Sequence, residues 1–579
     1  MWLVLTFVLF FSEKCSAIGI VAPTKLNQLL QLKISNGLIQ GKEERSFNGV
    51  KYFSYVGIPY AEPPINDLRF RAPVPISNWS TVLDATVPGP CCAGVNLPKL
   101  TGSFQMVPDG EEDCLYLDVY TPRKPTGGAF KKPLAVMVFF YGGGFISGCA
   151  KEYGPDFFIE NDVVLVVPNF RISVFGFLST EDMESPGNWA TKDQIEVLKW
   201  VKFNIKAFGG DSKTVTIFGQ SAGAANVNML LLAQRAKGLF HRAIMISGCS
   251  LGFWSYQVQP RQVAFDIGVA VGIETNDTKI LMEKLRQVDF RKLIESHTSA
   301  IMINMLSIIQ NGLPFAHSLE PMHQQAVLMD YPYQVMEKGE FSRVPVMMGV
   351  TTLEAASLKN VVRLIKPLLV IFNLSPGLMV RFTRDHKNRT IVANKIKQFF
   401  FNTTDMLEVD ELDLLKYLSD DAYYRPMRKA ASLISKHNPV YFYQFSYKGQ
   451  LAIELMRKLV GMEDFIRDFD GVAHTEDIAY LFRSKLFEPK YFKKEMKIIK
   501  KMTKIYTNFA KYGNPTPIQD TLLDNVTWPR VTSADGQLFP YIDLGERFKN
   551  VVSTNFDEEN FQFWNHVFQE YADEPYITY

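Results

Sequence analysis

The residues Gly219-Gln220-Ser221-Ala222-Gly223 have the spacing of an activated serine. A run rich in β-branched and aromatic residues, Thr214-Val-Thr-Ile-Phe218, feeds directly into them, and helix formers continue from Ala224 to Leu232. Strand, tight turn and helix in that order make a nucleophile elbow. The residues two positions either side of the serine must be small there, because the turn brings strand and helix close together. Such a turn holds Ser221 in a strained backbone conformation with its Oγ exposed, at a helix N-terminus whose dipole favours developing negative charge.

A hydroxyl is a poor nucleophile at neutral pH, so a base must lie within hydrogen-bond reach and a carboxylate must orient that base. With this kind of elbow the chain order is serine, acid, histidine. Among the histidines well after Ser221, His386 lies in a segment with glycosylation sequons, His437 precedes a strand-like run, and His566 lies in an aromatic, helix-like tail. His474, in Gly471-Val-Ala-His474-Thr-Glu-Asp477, sits beyond the strand-like run Val440–Phe445 and is the expected base. Glu354 follows the strand-like run from Val344 to Val350, where an α/β sheet presents catalytic groups, and is the expected acid. Tyr141-Gly142-Gly143-Gly144-Phe145 follows the apolar run Leu134–Phe140 and would let backbone N–H groups approach a substrate oxygen. The expected oxyanion donors are Gly143, Gly144 and Ala222; losing one such donor costs about 3 kcal/mol of transition-state stabilisation. Phosphate binding does not fit, because Ser147 stands where the third glycine of G-x-G-x-x-G would fall and no lysine completes a P-loop.

The elements that must carry these groups follow from the apolar pattern. Leu134–Phe140, Val163–Val167, Thr214–Phe218, Val344–Met348 and Val440–Phe445 are short continuous apolar runs, the mark of strands buried on both faces. Between them Ile195, Leu198, Val201 and Ile205 recur at helical spacing, with Gly209-Gly210 as a stop. Alternation of this kind predicts an α/β fold, a large, mostly parallel twisted sheet with helices on both faces. The Met-rich, helix-like region from Ile273 to Ser342 is expected to insert over the sheet as a cap. A late helix near Lys494–Lys511 puts Met496, Ile499, Met502, Ile505 and Phe509 on one face and lysines on the other, a core-packed helix with a solvated side. No repeat or Gly/Ser-rich linker divides the chain, so residues 18–579 read as a single catalytic domain.

Composition narrows the ligand. The 579 residues are 47% hydrophobic and 21% charged, as in an ordinary globular protein. With 62 Lys+Arg against 60 Asp+Glu the formal charge is +2, which gives no broad electrostatic reason for a nucleic-acid or membrane-surface partner. A small or apolar ligand fits better. The apolar run Met1–Phe11, then Ser12-Glu13-Lys14 and Cys15-Ser16-Ala17, reads as a secretory signal over residues 1–17, and no later segment has the length and apolarity of a membrane span. Secretion is expected. Sequons at Asn78, Asn276, Asn373, Asn388, Asn402 and Asn525 agree with export, although Pro376 weakens the third. Export leaves Cys91, Cys92, Cys114, Cys149 and Cys249, an odd number, so at least one thiol stays free or pairs between chains.

Beyond the triad segments, Leu68-Arg69-Phe70, Glu112-Asp113-Cys114-Leu115-Tyr116-Leu117, Gly187-Asn188-Trp189 with Asp193-Gln194, Phe208-Gly209-Gly210-Asp211 and Ser247-Gly248 give the chain its family likeness. It resembles the type-B carboxylesterases, the α/β-hydrolases that include cholinesterases and insect esterases, over nearly the whole mature length. The resemblance implies an α/β-hydrolase fold with helical cap insertions. It also implies a disulfide between Cys92 and Cys114, with Cys91 open as a substitute. Ser247 resembles a buried serine that supports the catalytic histidine, and Trp254 resembles an acyl-pocket aromatic. Cholinesterases carry a tryptophan inside that first disulfide loop to bind a quaternary ammonium by cation–π attraction; Cys92 to Cys114 contains none, which speaks against choline esters. Ala355 follows the acid where the family often has glycine, and Gln220 stands where many relatives have glutamate. Gly-Gln-Ser-Ala-Gly with Arg69-Phe70, Asp193-Gln194, Glu354 and Gly471-x-x-His474-x-x-Asp477 resembles the motif set of insect juvenile hormone esterases.

The expected function is a secreted serine carboxylesterase that hydrolyses uncharged, fairly apolar esters through an acyl-enzyme, juvenile hormone-type methyl esters among them. A general detoxifying, odorant or digestive esterase is the alternative, and a non-catalytic adhesion protein on the same scaffold is a further one. The chemistry requires no metal and no organic cofactor.

Overall fold

Alternating apolar runs and amphipathic stretches fold into strands β1 (Leu30–Ile34), β2 (Gly37–Arg45), β3 (Lys51–Pro59), β4 (Tyr116–Thr121), β5 (Leu134–Phe140), β6 (Val163–Pro168), β7 (Gly210–Gln220), β8 (Arg242–Ile246), β9 (Val346–Thr351), β10 (Val440–Phe445), β11 (Tyr541–Leu544) and β12 (Phe548–Val551). They join a 13-stranded sheet in the order β1-β2-β3-β4-β6-β5-β7-β8-β9-β10-β11-β12, with the short strand Leu83–Asp84 beside β2. The computed structural model describes residues 30–95, 107–126, 130–302, 310–459, 469–483, 489–532, 539–551 and 556–579. Strands β6, β5, β7, β8, β9, β10 and β11 run parallel, and the flanking pairs are antiparallel except for the short strand Leu83–Asp84, which lies parallel to β2. Every residue of β5, β6 and β9 is buried, so both faces of the sheet centre are covered. This is the mostly parallel α/β-hydrolase architecture that the sequence predicts.

Two sequence boundaries shift. The apolar run at Val344 becomes a strand only from Val346, since Pro345 has no N–H to give to the ladder; its carbonyl still accepts from Ala243. The helix carrying Ile195, Leu198 and Val201 is α1 (Trp189–Asn204); Ile205 falls in the following 3₁₀ turn, which Gly209 ends at φ +87°. Between residues 273 and 342 the described residues contain helices Thr278–Leu285, Phe290–Met302 and Pro332–Lys338 and no strand. The first two pack against Pro260–Ala270. The late helix spans Pro489–Tyr512 and buries Ile499, Met502, Ile505 and Phe509, while Met496 stays partly exposed. Lys501 departs from the solvated lysine face: it is fully buried and donates to Asp524 and to the Glu546 carbonyl. Among the described residues no helix is long and apolar enough to cross a membrane.

The large core packs on the sheet, and a second apolar cluster gathers Leu353, Ala355, Val362, Ile396, Leu414, Leu415, Ala473 and Trp564. Glu354 is flanked by two members of that second cluster and His474 follows a third. The strand order reverses around β5 and β7: the chain leaves β5 toward β6 on one side and β7 toward β8 on the other. The crevice at the carboxyl ends of two such strands is where open α/β sheets bind ligands.

Candidate active site

Four strand ends supply the site. β7 runs into Ser221, which adopts φ 57° and ψ −126°, outside the comfortable regions for a residue with a side chain, and α2 (Ala222–Leu232) starts at once. Its geometry explains the two glycines. A Cβ on Gly219 would stand 2.4 Å from the Gly223 carbonyl oxygen, and one on Gly223 only 2.0 Å from that of Phe140 at the end of β5. The Ser221 N–H donates to the Ile246 carbonyl at 2.8 Å, which ties the elbow to β8. As the first residue of α2, Ala222 offers an N–H that a helix's opening turn leaves without an intrahelical acceptor.

The glycine loop after β5 lies directly against the elbow. A Cβ on Gly142 would meet the Gln220 carbonyl and side-chain oxygens at 2.6 Å and Ser221 Cβ at 3.0 Å. Gly143 has φ +120°, and a Cβ there would lie 2.3 Å from the Ser147 carbonyl oxygen; Gly144, at φ +59°, has open space on that side. These backbones can therefore approach a substrate oxygen held at Ser221.

Glu354 begins a 3₁₀ turn three residues past the end of β9 and is fully buried. One carboxylate oxygen lies 2.6 Å from His474 Nδ1. The other accepts from the Ser247 hydroxyl at 2.6 Å and from the Thr351 N–H at 2.7 Å. Ser247 thus acts on the histidine through Glu354 and not by touching the ring. The histidine loop is laced to the acid turn by Leu353 N–H to Val472 O at 2.9 Å and His474 N–H to Glu354 O at 3.0 Å. Gly471 must be glycine for that lacing, since a Cβ would come within 2.5 Å of Leu353 Cβ.

With the Nδ1 proton given to Glu354, His474 Nε2 presents its lone pair toward the elbow. There the Gln220 side-chain amide donates to it at 3.1 Å. Gln220 occupies in this resting geometry the acceptor that a serine base must offer. Asp477, three residues on, is buried; burial first and the Glu354 charge second push its pKa up to about 8. Its carboxylate accepts from Tyr443, whose hydroxyl also meets that of Tyr506 at 2.7 Å.

An aromatic wall closes the site. Trp254, in a short 3₁₀ turn, packs on Phe145 and Tyr423, with ring centroids 6.0 and 5.9 Å away. Its Cη2 would lie 3.2 Å from a Cβ on Gly248, the same Cβ that would strike the Ser221 carbonyl, so the indole borders the serine. Tyr423 lies 4.8 Å from the His474 ring. It comes from a π-helical turn, Asp420–Tyr424, a geometry frequent at functional sites, and the Ala422 carbonyl of that turn accepts the Trp254 indole N–H at 2.9 Å. Sequence reasoning did not single out Tyr423, Phe145 or the Gln220 contact. Only the chain neighbours of known motif residues, Gly144-Phe145 and Gln220-Ser221, carried any signal for them.

Cys92 pairs with Cys114 as the family likeness implies, and Cys91 pairs with Cys149; Cys249 is free and buried. Of the sequon asparagines, Asn78, Asn276, Asn402 and Asn525 are exposed. Asn373 and Asn388 are half-buried, and Asn373 is occupied at both ends of its amide by Asp405 and the Met406 N–H. The signal expected at residues 1–17 lies outside the described residues.

A model of the carboxylesterase family matches residues 28–564. The chain belongs to the carboxylesterase family. This carboxylesterase is 31% identical to the juvenile hormone esterase of Tribolium castaneum over 90% of its own length and 89% of the relative's. It is 31% identical to esterase FE4 of Myzus persicae, covering 89% of each chain. The solved juvenile hormone esterase of Manduca sexta, with OTFP covalently attached, superposes with a TM-score of 0.80 at 28% identity, over 94% of this chain and 100% of that one.

Proposed function

We propose that this carboxylesterase is a secreted serine hydrolase of uncharged, fairly apolar carboxylic esters. The observation that carries the reading is the His474 ring held between Glu354 at Nδ1 and the Gln220-Ser221 elbow at Nε2. Ser221 Oγ attacks the ester carbonyl while His474 Nε2 takes its proton. The same imidazolium then protonates the leaving alcohol, and water repeats the sequence to release the acid. Glu354, buried and steadied by Ser247 and Thr351, stabilises the charged ring. The N–H groups of Gly143, Gly144 and Ala222 receive the developing oxyanion. Before attack the Ser221 hydroxyl must displace the Gln220 amide, since both seek one lone pair. Two disulfides suit an oxidising compartment, in line with the export signal and with glycosylation at the exposed sequons.

Trp254, Phe145 and Tyr423 favour a nonpolar acyl portion. Gln220, and the named juvenile hormone esterases among the similar proteins, support an epoxy-terpenoid methyl ester as substrate. The purified protein should hydrolyse a chromogenic short-chain ester and take up one equivalent of an organophosphonate at Ser221. A binding protein on this scaffold would do neither. The ratio of kcat/KM for an epoxy-terpenoid methyl ester to that for the short-chain ester then reads the substrate: a large ratio supports the hormone-type ester, and a ratio near one points to a general esterase.

A further inference from the structure

Beside the site, Nε2 of the buried His317 has no hydrogen-bond partner among the described residues. The other ring nitrogen, Nδ1, lies 3.3 Å from the Ser255 carbonyl oxygen. A carbonyl can only accept, so Nδ1 carries the proton. Burial pulls the imidazole pKa down to about 4, so the ring is neutral and Nε2 is a bare acceptor. The backbone here is fixed as well: His317 pairs with Tyr256, and its carbonyl takes the Gln257 N–H at 2.8 Å. Phe145 and Phe177 hold the ring edge-on, each centroid 5.4 Å away. Phe145 directly follows the oxyanion glycines and touches Trp254, which borders Ser221. A buried acceptor is costly to leave unsatisfied, and sites built around such a group discriminate against isosteres that lack its partner.

We propose that His317 is a specificity-determining residue of the ester site, its Nε2 accepting a hydrogen bond from a hydroxyl on the acyl portion that lodges beside Phe145, Phe177 and Trp254. Among the apolar esters that the site accepts, one with a donor at its far end is then held more tightly than its donor-free isostere. The inference rests on the ester-hydrolase reading above, and its test is made separable from that reading. Methyl 4-hydroxyphenylacetate and methyl 4-fluorophenylacetate differ in that donor and little else. Their Kd values are measured by calorimetry on Ser221→Ala protein, where binding is read without turnover.

The hydroxy ester should bind about tenfold tighter. That preference should vanish in Ser221→Ala/His317→Phe and survive in part in Ser221→Ala/His317→Gln, which keeps an acceptor. Equal binding of the two esters with His317 present overturns the inference, as does no measurable binding of the hydroxy ester or a preference that persists in the Phe variant. If the Phe variant does not fold, the His317 protein and the Gln variant decide alone. Failure of the unsubstituted Ser221 protein to hydrolyse either ester overturns the hydrolase reading, while the Kd ratio still judges His317.

Discussion

Ser221 and the glycines facing it hang from β7 and β5, adjacent strands of the large core, and their contacts are almost all backbone against backbone. Glu354 and His474 have left the sheet. They rest on the second apolar core, in a 3₁₀ turn and a loop, held by hydrogen bonds from the Ser247 hydroxyl to Glu354, from the Gln220 amide to His474 and from the Val472 N–H to the Thr352 hydroxyl, and faced by a π-helical turn. Rigid strand ends place Ser221, Gly142 and Gly143 with no room for a further methyl group at the glycines, while Gly144 faces open space. Glu354 and His474 are placed by a network whose members can be removed one at a time. The first half should therefore fail abruptly on substitution, and the second by degrees.

The sharpest break is Ser221→Ala, which should lower kcat by a factor on the order of 10⁶ with the protein still folded, measured with the chromogenic ester. On the other side Glu354→Gln should cost about 10⁴-fold, because the ring loses its orienting charge and its tautomer, and single-turnover kinetics would place the loss in acylation. A smaller loss for Gln than for Ser→Ala is what the comparison demands. Between the two glycines, Gly143→Ala should reduce kcat by roughly 10²–10³-fold, since its methyl group would displace the loop at the Ser147 carbonyl, whereas Gly144→Ala should cost distinctly less. Equal losses would show that the loop is not clamped at Gly143. Ser247→Ala removes one of two donors on the far oxygen of Glu354 and should cost roughly ten- to a hundredfold in kcat with KM nearly unchanged.

The smallest effect is one of stability. Asp477 keeps a proton in the folded chain up to about pH 8, whereas the unfolded chain releases it near pH 4. Its contribution is therefore fully present below about pH 4 and is lost as pH rises toward 8. Asp118, raised by burial to about 6, has the same sign over a narrower window. Asp477→Asn should flatten the fall in Tm between pH 5 and pH 8.5 by a few degrees, read by calorimetry. A slope equal to that of the unsubstituted protein would remove Asp477 from the network around Glu354.

The two halves also differ in how far the sequence reveals them. The elbow and the Gly142-Gly143-Gly144 loop are legible because a steric demand between neighbouring residues leaves a compositional trace, glycine where a Cβ would collide. Glu354 and His474 could be named by chain order and strand position, but not how they are held. Ser247 reaches the ring through Glu354, and Gln220 fills Nε2; neither follows from spacing, since the partners lie 107 and 254 residues apart. Trp254 could be named, while the π-helical turn that braces it 168 residues away could not.

By itself, then, the sequence determined a mostly parallel sheet with both faces covered, a serine on a strained turn and glycines opposite it. Each follows from local sterics or from continuous apolar patterning. Only the tertiary structure decided that Cys91 pairs with Cys149, that Lys501 is buried against Asp524, and that Tyr423 and the His317 nitrogen without a partner among the described residues stand beside the site. Such meetings depend on how the insertions and the second core pack against the sheet. Packing is a sum of many weak contacts that no short stretch of residues contains.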